Sequence, residues 1–139
     1  MPVRPDEELS SPPAPRSGVG GPRARILVIE DDPALRRLMS ERLGELGWLV
    51  HAAADPFSVL TATSVFDLAL VDLHLDGERI SPTLLRALRE RARVIVAVTG
   101  DPDVSLAVDC VLRKPFDLDE LGELVERLAC PAEHEQQAR

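Results

Sequence analysis

Four strand-like runs end in residues able to do polar chemistry: Glu30 and Asp31 close the first, Asp72 the second, Thr99 the third and Lys114 the last. If these runs lie parallel in one sheet, their carboxyl ends share an edge and residues distant in sequence converge there. Three carboxylates gathered in this way repel one another unless a cation sits among them. A hard divalent ion with oxygen ligands answers that need, and Mg²⁺ keeps several waters while taking few carboxylates. Lys114 adds a fixed positive charge and Thr99 a hydroxyl donor. A phosphoryl group on Asp72 would meet metal, ammonium and hydroxyl together. Taken singly, each residue has an ordinary explanation, because an Asp after a strand is commonly a helix cap or loop residue. Asp32 is assigned to capping and not to the metal.

The elements that must position these side chains are legible in outline. Strands are expected over Arg25–Glu30, Trp48–Ala53, Leu68–Asp72, Val94–Thr99 and Val111–Arg113. The first, third and fourth are nearly all apolar, as befits strands covered on both faces of a parallel sheet. Helical spacing puts Leu35, Leu38, Met39, Leu43 and Leu46 on one face, and later Leu118, Leu121, Val125 and Leu128. Asp32-Pro33, Asp55-Pro56, Ser81-Pro82 and Asp101-Pro102 each set a capping side chain before a proline at a first helical position. Asp117 with Glu120 resembles a capping box. Strands alternating with helices predict a three-layer α/β domain with a doubly wound parallel sheet and a ligand site at the carboxyl ends of its strands.

Composition narrows the function classes. The chain has 139 residues, 45% hydrophobic and 29% charged, with a net charge of −8, enough for one cored domain with tails. The acidic balance argues against nucleic-acid or membrane binding, and no apolar run reaches the length of a membrane span or a secretory signal. Cys110 and Cys130 are too few for a disulfide framework or a zinc site and read as reduced thiols of a cytoplasmic protein. Residues 1–24 hold six of the twelve prolines and three glycines, and are expected to be a disordered tail or spacer. The domain is expected over 25–130, with a flexible tail over 131–139.

With these residues in hand, the stretches Ile26–Pro33 (ILVIEDDP), Asp67–Leu73 (DLALVDL), Val98–Gly100 (VTG) and Arg113–Phe116 (RKPF) resemble the receiver domains of bacterial response regulators over about residues 25–130. The resemblance implies a flavodoxin-like five-stranded sheet in the order 2-1-3-4-5. It implies that Asp72 accepts a phosphoryl group from a sensor histidine kinase or phosphotransfer protein. Asp31, Asp72 and the backbone carbonyl of His74 would then bind Mg²⁺, with Glu30 acting through a metal-bound water. Thr99 and Lys114 would hold the phosphoryl oxygens, and the Lys114–Pro115 bond would be cis. Such a domain catalyses only its own phosphorylation and dephosphorylation. It is expected to act alone, through contacts with a downstream protein, and not as an enzyme on external substrates.

Three departures from the family stand out. Val111 occupies the position of the switch aromatic, three residues before the lysine, and the chain has no tyrosine. Only fourteen residues separate Thr99 from Lys114, so the fourth helix is expected to be shortened to about two turns or missing as a regular element. The loop after Asp72 carries Asp76 where proline is frequent. An alternative follows, in which the chain is a phosphorylation-independent interaction module. A third, a phosphohydrolase with an aspartyl-phosphate intermediate, lacks an evident cap or substrate pocket. His74 and Asp101, each two residues beyond Asp72 and Thr99, are either solvated loop side chains or a pair that tunes phosphoryl lifetime.

Overall fold

A computed structural model describes residues 24–61 and 63–129. The tails expected over 1–24 and 131–139 lie outside the described residues except for Ala24, as does Cys130. In chain order the elements are β1 (Arg25–Ile29), α1 (Pro33–Glu45), β2 (Leu49–Ala53), α2 (Phe57–Leu60), β3 (Phe66–Asp72) and β4 (His74–Leu75). They continue with β5 (Glu78–Arg79), α3 (Pro82–Arg89), β6 (Ala92–Thr99), β7 (Cys110–Arg113) and α4 (Leu118–Leu128). The main sheet has five parallel strands in the order β2-β1-β3-β6-β7, which is the 2-1-3-4-5 order once the small β4–β5 hairpin is set aside.

The near-continuous apolar strands split their side chains between two layers. Ile26, Val28, Leu68, Leu70, Val96 and Val98 face Met39 and Leu43 of α1 and Leu121, Leu124 and Val125 of α4. Their neighbours Leu27, Ile29, Ala69, Val71, Ile95 and Ala97 face Val59, Ile80, Leu85 and Leu88. Burying each large side chain contributes about 1.5–3 kcal/mol, so the central three strands hold the sheet in register from both sides. Leu38 departs from the expected stripe: it is 48% exposed. At about 100° per residue it lies a full step of the helical wheel from Met39, at the rim of the buried face.

The caps form largely as the sequence directs. Asp32 Oδ1 accepts from Ala34 N–H at 3.0 Å, and Ser81 Oγ accepts from Leu84 N–H at 3.1 Å. Asp117 and Glu120 make the reciprocal capping box at 3.0 and 2.8 Å. Asp55 Oδ1 accepts from Phe57 N–H at 2.8 Å, but the single-turn helix starts at Phe57 with Pro56 as its N-cap, so Asp55 lies one residue outside the cap and Pro56 is not the first helical residue. Asp101-Pro102 starts no helix, which corrects that expectation. Of the two outcomes foreseen for the fourth helix, absence is the one realised, for residues 100–109 carry no regular element. The reason lies in their period of two. Val104, Leu106 and Val108 turn toward the second layer of the core while Asp103, Ser105, Ala107 and Asp109 are exposed. That pattern packs an extended chain and not a helix. Arg89 ties the segment down, pairing with Asp109 Oδ2 and donating to Ala107 O at 3.4 Å, while Asp109 Oδ2 accepts from Ile95 N–H at 2.7 Å.

Candidate functional site

Ladder bonds carry each site residue to the same edge. Glu30 N–H donates to Ala53 O at 3.0 Å, Leu73 N–H to Val98 O at 3.2 Å and Lys114 N–H to Thr99 O at 2.8 Å. Asp72 pairs with Val98 across the β3–β6 ladder, so Thr99 and Asp72 sit at adjoining strand ends. Glu30, Asp72 and Thr99 are the only buried polar or charged side chains among the described residues, at 1%, 4% and 1% exposure. Asp31 is half-buried at the rim.

Carboxylate oxygens of Glu30, Asp31 and Asp72 all lie within 4.8 Å of one another. Lys114 Nζ stands between two of them, 3.2 Å from Asp72 Oδ2 and 3.2 Å from Glu30 Oε1. The electrostatics follow from this crowding. Burial pushes the Glu30 carboxyl up to about 7; the Asp32 N–H and Lys114 pull it back, while Asp72 pushes it further. The Asp76 N–H holds Asp31 below the ordinary carboxylate value. Burial alone would lower the Lys114 ammonium, yet the Asp72 and Glu30 carboxylates outweigh it and raise it. Three carboxylates with one ammonium are an incompletely balanced set, and the oxygen donors suit a hard divalent cation.

Glu30, Asp31, Asp72, Thr99 and Lys114 are all brought to this edge of the sheet. Asp72 Oδ1 accepts from His74 N–H at 3.0 Å, which fixes the turn out of β3. Thr99 Oγ1 accepts from Asp101 N–H at 3.0 Å. Asp32 stays on its helix cap and donates its N–H to Glu30 Oε2 at 3.2 Å. The Lys114–Pro115 peptide is cis. Val111 packs against the second core layer beside the 100–109 segment.

The loop expected after Asp72 is a hairpin. β4 and β5 form an antiparallel hairpin whose turn, Asp76-Gly77, has φ of 55° and 79°. Consecutive left-handed residues of the Asp-Gly type are the favoured two-residue hairpin turn, so the signal was present in the sequence. The turn donates Asp76 N–H to Asp31 Oδ2 at 2.9 Å. From the other strand Arg79 NH2 donates to Asp101 Oδ2 and to Asp103 O, each at 3.0 Å, and His74 Nε2 lies 3.4 Å from Asp101 Oδ2.

No family model matches the chain. The response regulator PhoP of Pseudomonas aeruginosa is 32% identical over 108 residues, covering 70% of this chain and 48% of that protein. The transcriptional regulatory protein AruR of the same species is 32% identical over 127 residues, 81% of this chain and 52% of that one. The chain thus spans about half the length of these curated relatives. Among solved structures, the receiver domain of an HD-domain protein from Pseudomonas fluorescens is 26% identical with a TM-score of 0.68, over 87% of this chain and 96% of that one. The receiver domain of a Pseudomonas aeruginosa sensor histidine kinase, solved with magnesium in its active-site cleft, superposes with a TM-score of 0.66 at 24% identity, over 78% of this chain and 98% of that one. Sheet order, acidic cleft and relatives agree, and the chain belongs to the response-regulator receiver domains of two-component signalling.

Proposed function

We propose that Asp72 accepts a phosphoryl group from the phosphohistidine of a sensor kinase or phosphotransfer protein, in a Mg²⁺-dependent reaction, and that the domain signals through contacts with a downstream protein. One observation carries this reading: the Asp72 carboxylate is buried yet reaches Lys114 Nζ at 3.2 Å within the carboxylate cluster. An Asp72 oxygen attacks phosphorus in line. As the new P–O bond forms, the P–N bond to the donor imidazole breaks and the nitrogen keeps the pair. Lys114 and Thr99 hold the transferred oxygens; the Thr99 hydroxyl accepts from Asp101 N–H, which leaves its own proton free to donate. Glu30, Asp31 and Asp72 form the oxygen cluster that would hold Mg²⁺: Asp31 and Asp72 would bind it directly with the His74 backbone carbonyl, Glu30 would act through water, and the ion would supply charge neutralisation on the transferring group. Water hydrolyses the acyl phosphate, which makes the signal self-limiting.

The test is transfer from a panel of radiolabelled, phosphorylated histidine kinases. Label should move to the wild type in Mg²⁺ and not to Asp72→Asn. Label on the Asp72→Asn protein would place the acceptor elsewhere. A second reading, a phosphorylation-independent interaction module, is favoured by Val111 and by the helix-free 100–109 segment. It requires a partner that binds wild type and Asp72→Asn equally.

A further inference from the structure

The Arg79–Asp101 pair is the feature of the cleft that the phosphoacceptor chemistry above leaves unused. Asp101 follows β6 two residues after Thr99, and His74 follows β3 two residues after Asp72, so their 3.4 Å contact spans the two strand ends beside the carboxylate cluster. Asp101 thereby brings one more carboxylate to a place that must admit a phosphoryl dianion. Arg79 is the permanent positive charge on that carboxylate, and its second bond, to Asp103 O, fixes the guanidinium to the helix-free segment. Arg113 also holds the same segment, donating to Pro102 O at 3.0 Å. The hairpin that delivers Arg79 is itself seated on the site through Asp76 N–H and Asp31.

We infer that Arg79 is a positioning residue for phosphoryl transfer: by pairing with Asp101 it turns that carboxylate toward the hairpin and neutralises it, so that an anionic phosphodonor can enter the cleft. The inference rests on the phosphoacceptor reading of Asp72. Without Arg79, the Asp101 charge faces the incoming dianion and repels it. Both side chains are part-exposed, at 42% and 35%, so the repulsion is moderate and screened by salt.

The experiment follows phosphorylation of Asp72 by acetyl phosphate, in which acetate leaves as the P–O bond to Asp72 forms. Intact mass is read against time for wild type, Arg79→Gln, Asp101→Asn and the double variant. Arg79→Gln should label on the order of tenfold more slowly, the effect expected of one incompletely screened charge a few ångströms away. Raising the ionic strength should narrow that gap. In the Asp101→Asn background, Arg79→Gln should change nothing, an outcome that loss of hairpin structure would not give. Equal rates for wild type and Arg79→Gln would overturn the inference while leaving Asp72 as acceptor. A double variant much slower than Asp101→Asn would overturn it as well. Failure of the wild type itself to label would remove the acceptor reading and this inference with it.

Discussion

Lys114 Nζ lies 3.2 Å from Asp72 Oδ2, and the same nitrogen is 3.2 Å from Glu30 Oε1. One ammonium just beyond β7 therefore balances two almost wholly buried carboxylates, Glu30 just beyond β1 and Asp72 at the end of β3. The pairing holds β1, β3 and β7 together at their carboxyl ends. Lys114→Met removes that balance. Unfolding measured in EDTA should show a loss of about 1–3 kcal/mol, the usual cost of stranding a buried charge-assisted bond. Added Mg²⁺ should restore part of it.

Glu30 should make the metal-free protein less stable as pH rises. Burial raises its carboxyl to about 7 in the fold against an ordinary value of 4.5, so between those values the folded state binds more protons than the unfolded one. The stabilisation is fully present below about 4.5 and lost as pH rises through about 7, by at most on the order of 3 kcal/mol. Urea midpoints in EDTA from pH 4.5 to 8 check this. Glu30→Gln should flatten the decline and leave the variant the more stable protein at pH 8.

How far the sequence carried this picture depends on the range of the interaction. The strands and the caps of α1, α3 and α4 were legible because apolar runs, proline after a capping residue and a capping box are all local signals. The cleft was legible because parallel strands bring Glu30, Asp31, Asp72, Thr99 and Lys114 to one edge whatever the loops do. Asp101-Pro102 opens no helix because the alternation of Val104, Leu106 and Val108, packed on the core, overrides the local cap signal. The partners of Arg79 and Arg89 were not legible at all. A surface arginine shows no preference in sequence for a carbonyl some twenty residues away, and only the tertiary path of 100–109 supplies one.

The hairpin turn offers a conformational test. Gly77 has φ of 79° and a Cβ there would meet nothing within 4 Å, so Gly77→Ala isolates backbone strain from crowding. It should cost about 1 kcal/mol in chemical denaturation. Hydrogen exchange should quicken at the Asp76 amide, which donates to Asp31.

Asp109 should matter to stability although it lies far from the cleft chemistry. Its Oδ2 accepts from Ile95 N–H at 2.7 Å and pairs with Arg89. Asp109→Ala leaves a ladder amide without that acceptor, at a cost of about 1–3 kcal/mol. Limited proteolysis should then find new cleavage within residues 100–109, whereas phosphorylation of Asp72 by a small donor should persist.

The most direct test of the account is the intact mass of the protein after incubation with Mg²⁺ and acetyl phosphate or phosphoramidate, with EDTA and Asp72→Asn as controls. One added phosphoryl group is expected on the wild type and none in either control. No addition from these donors, repeated with beryllofluoride and with phosphorylated histidine kinases, would contradict it and leave the domain as a phosphorylation-independent module.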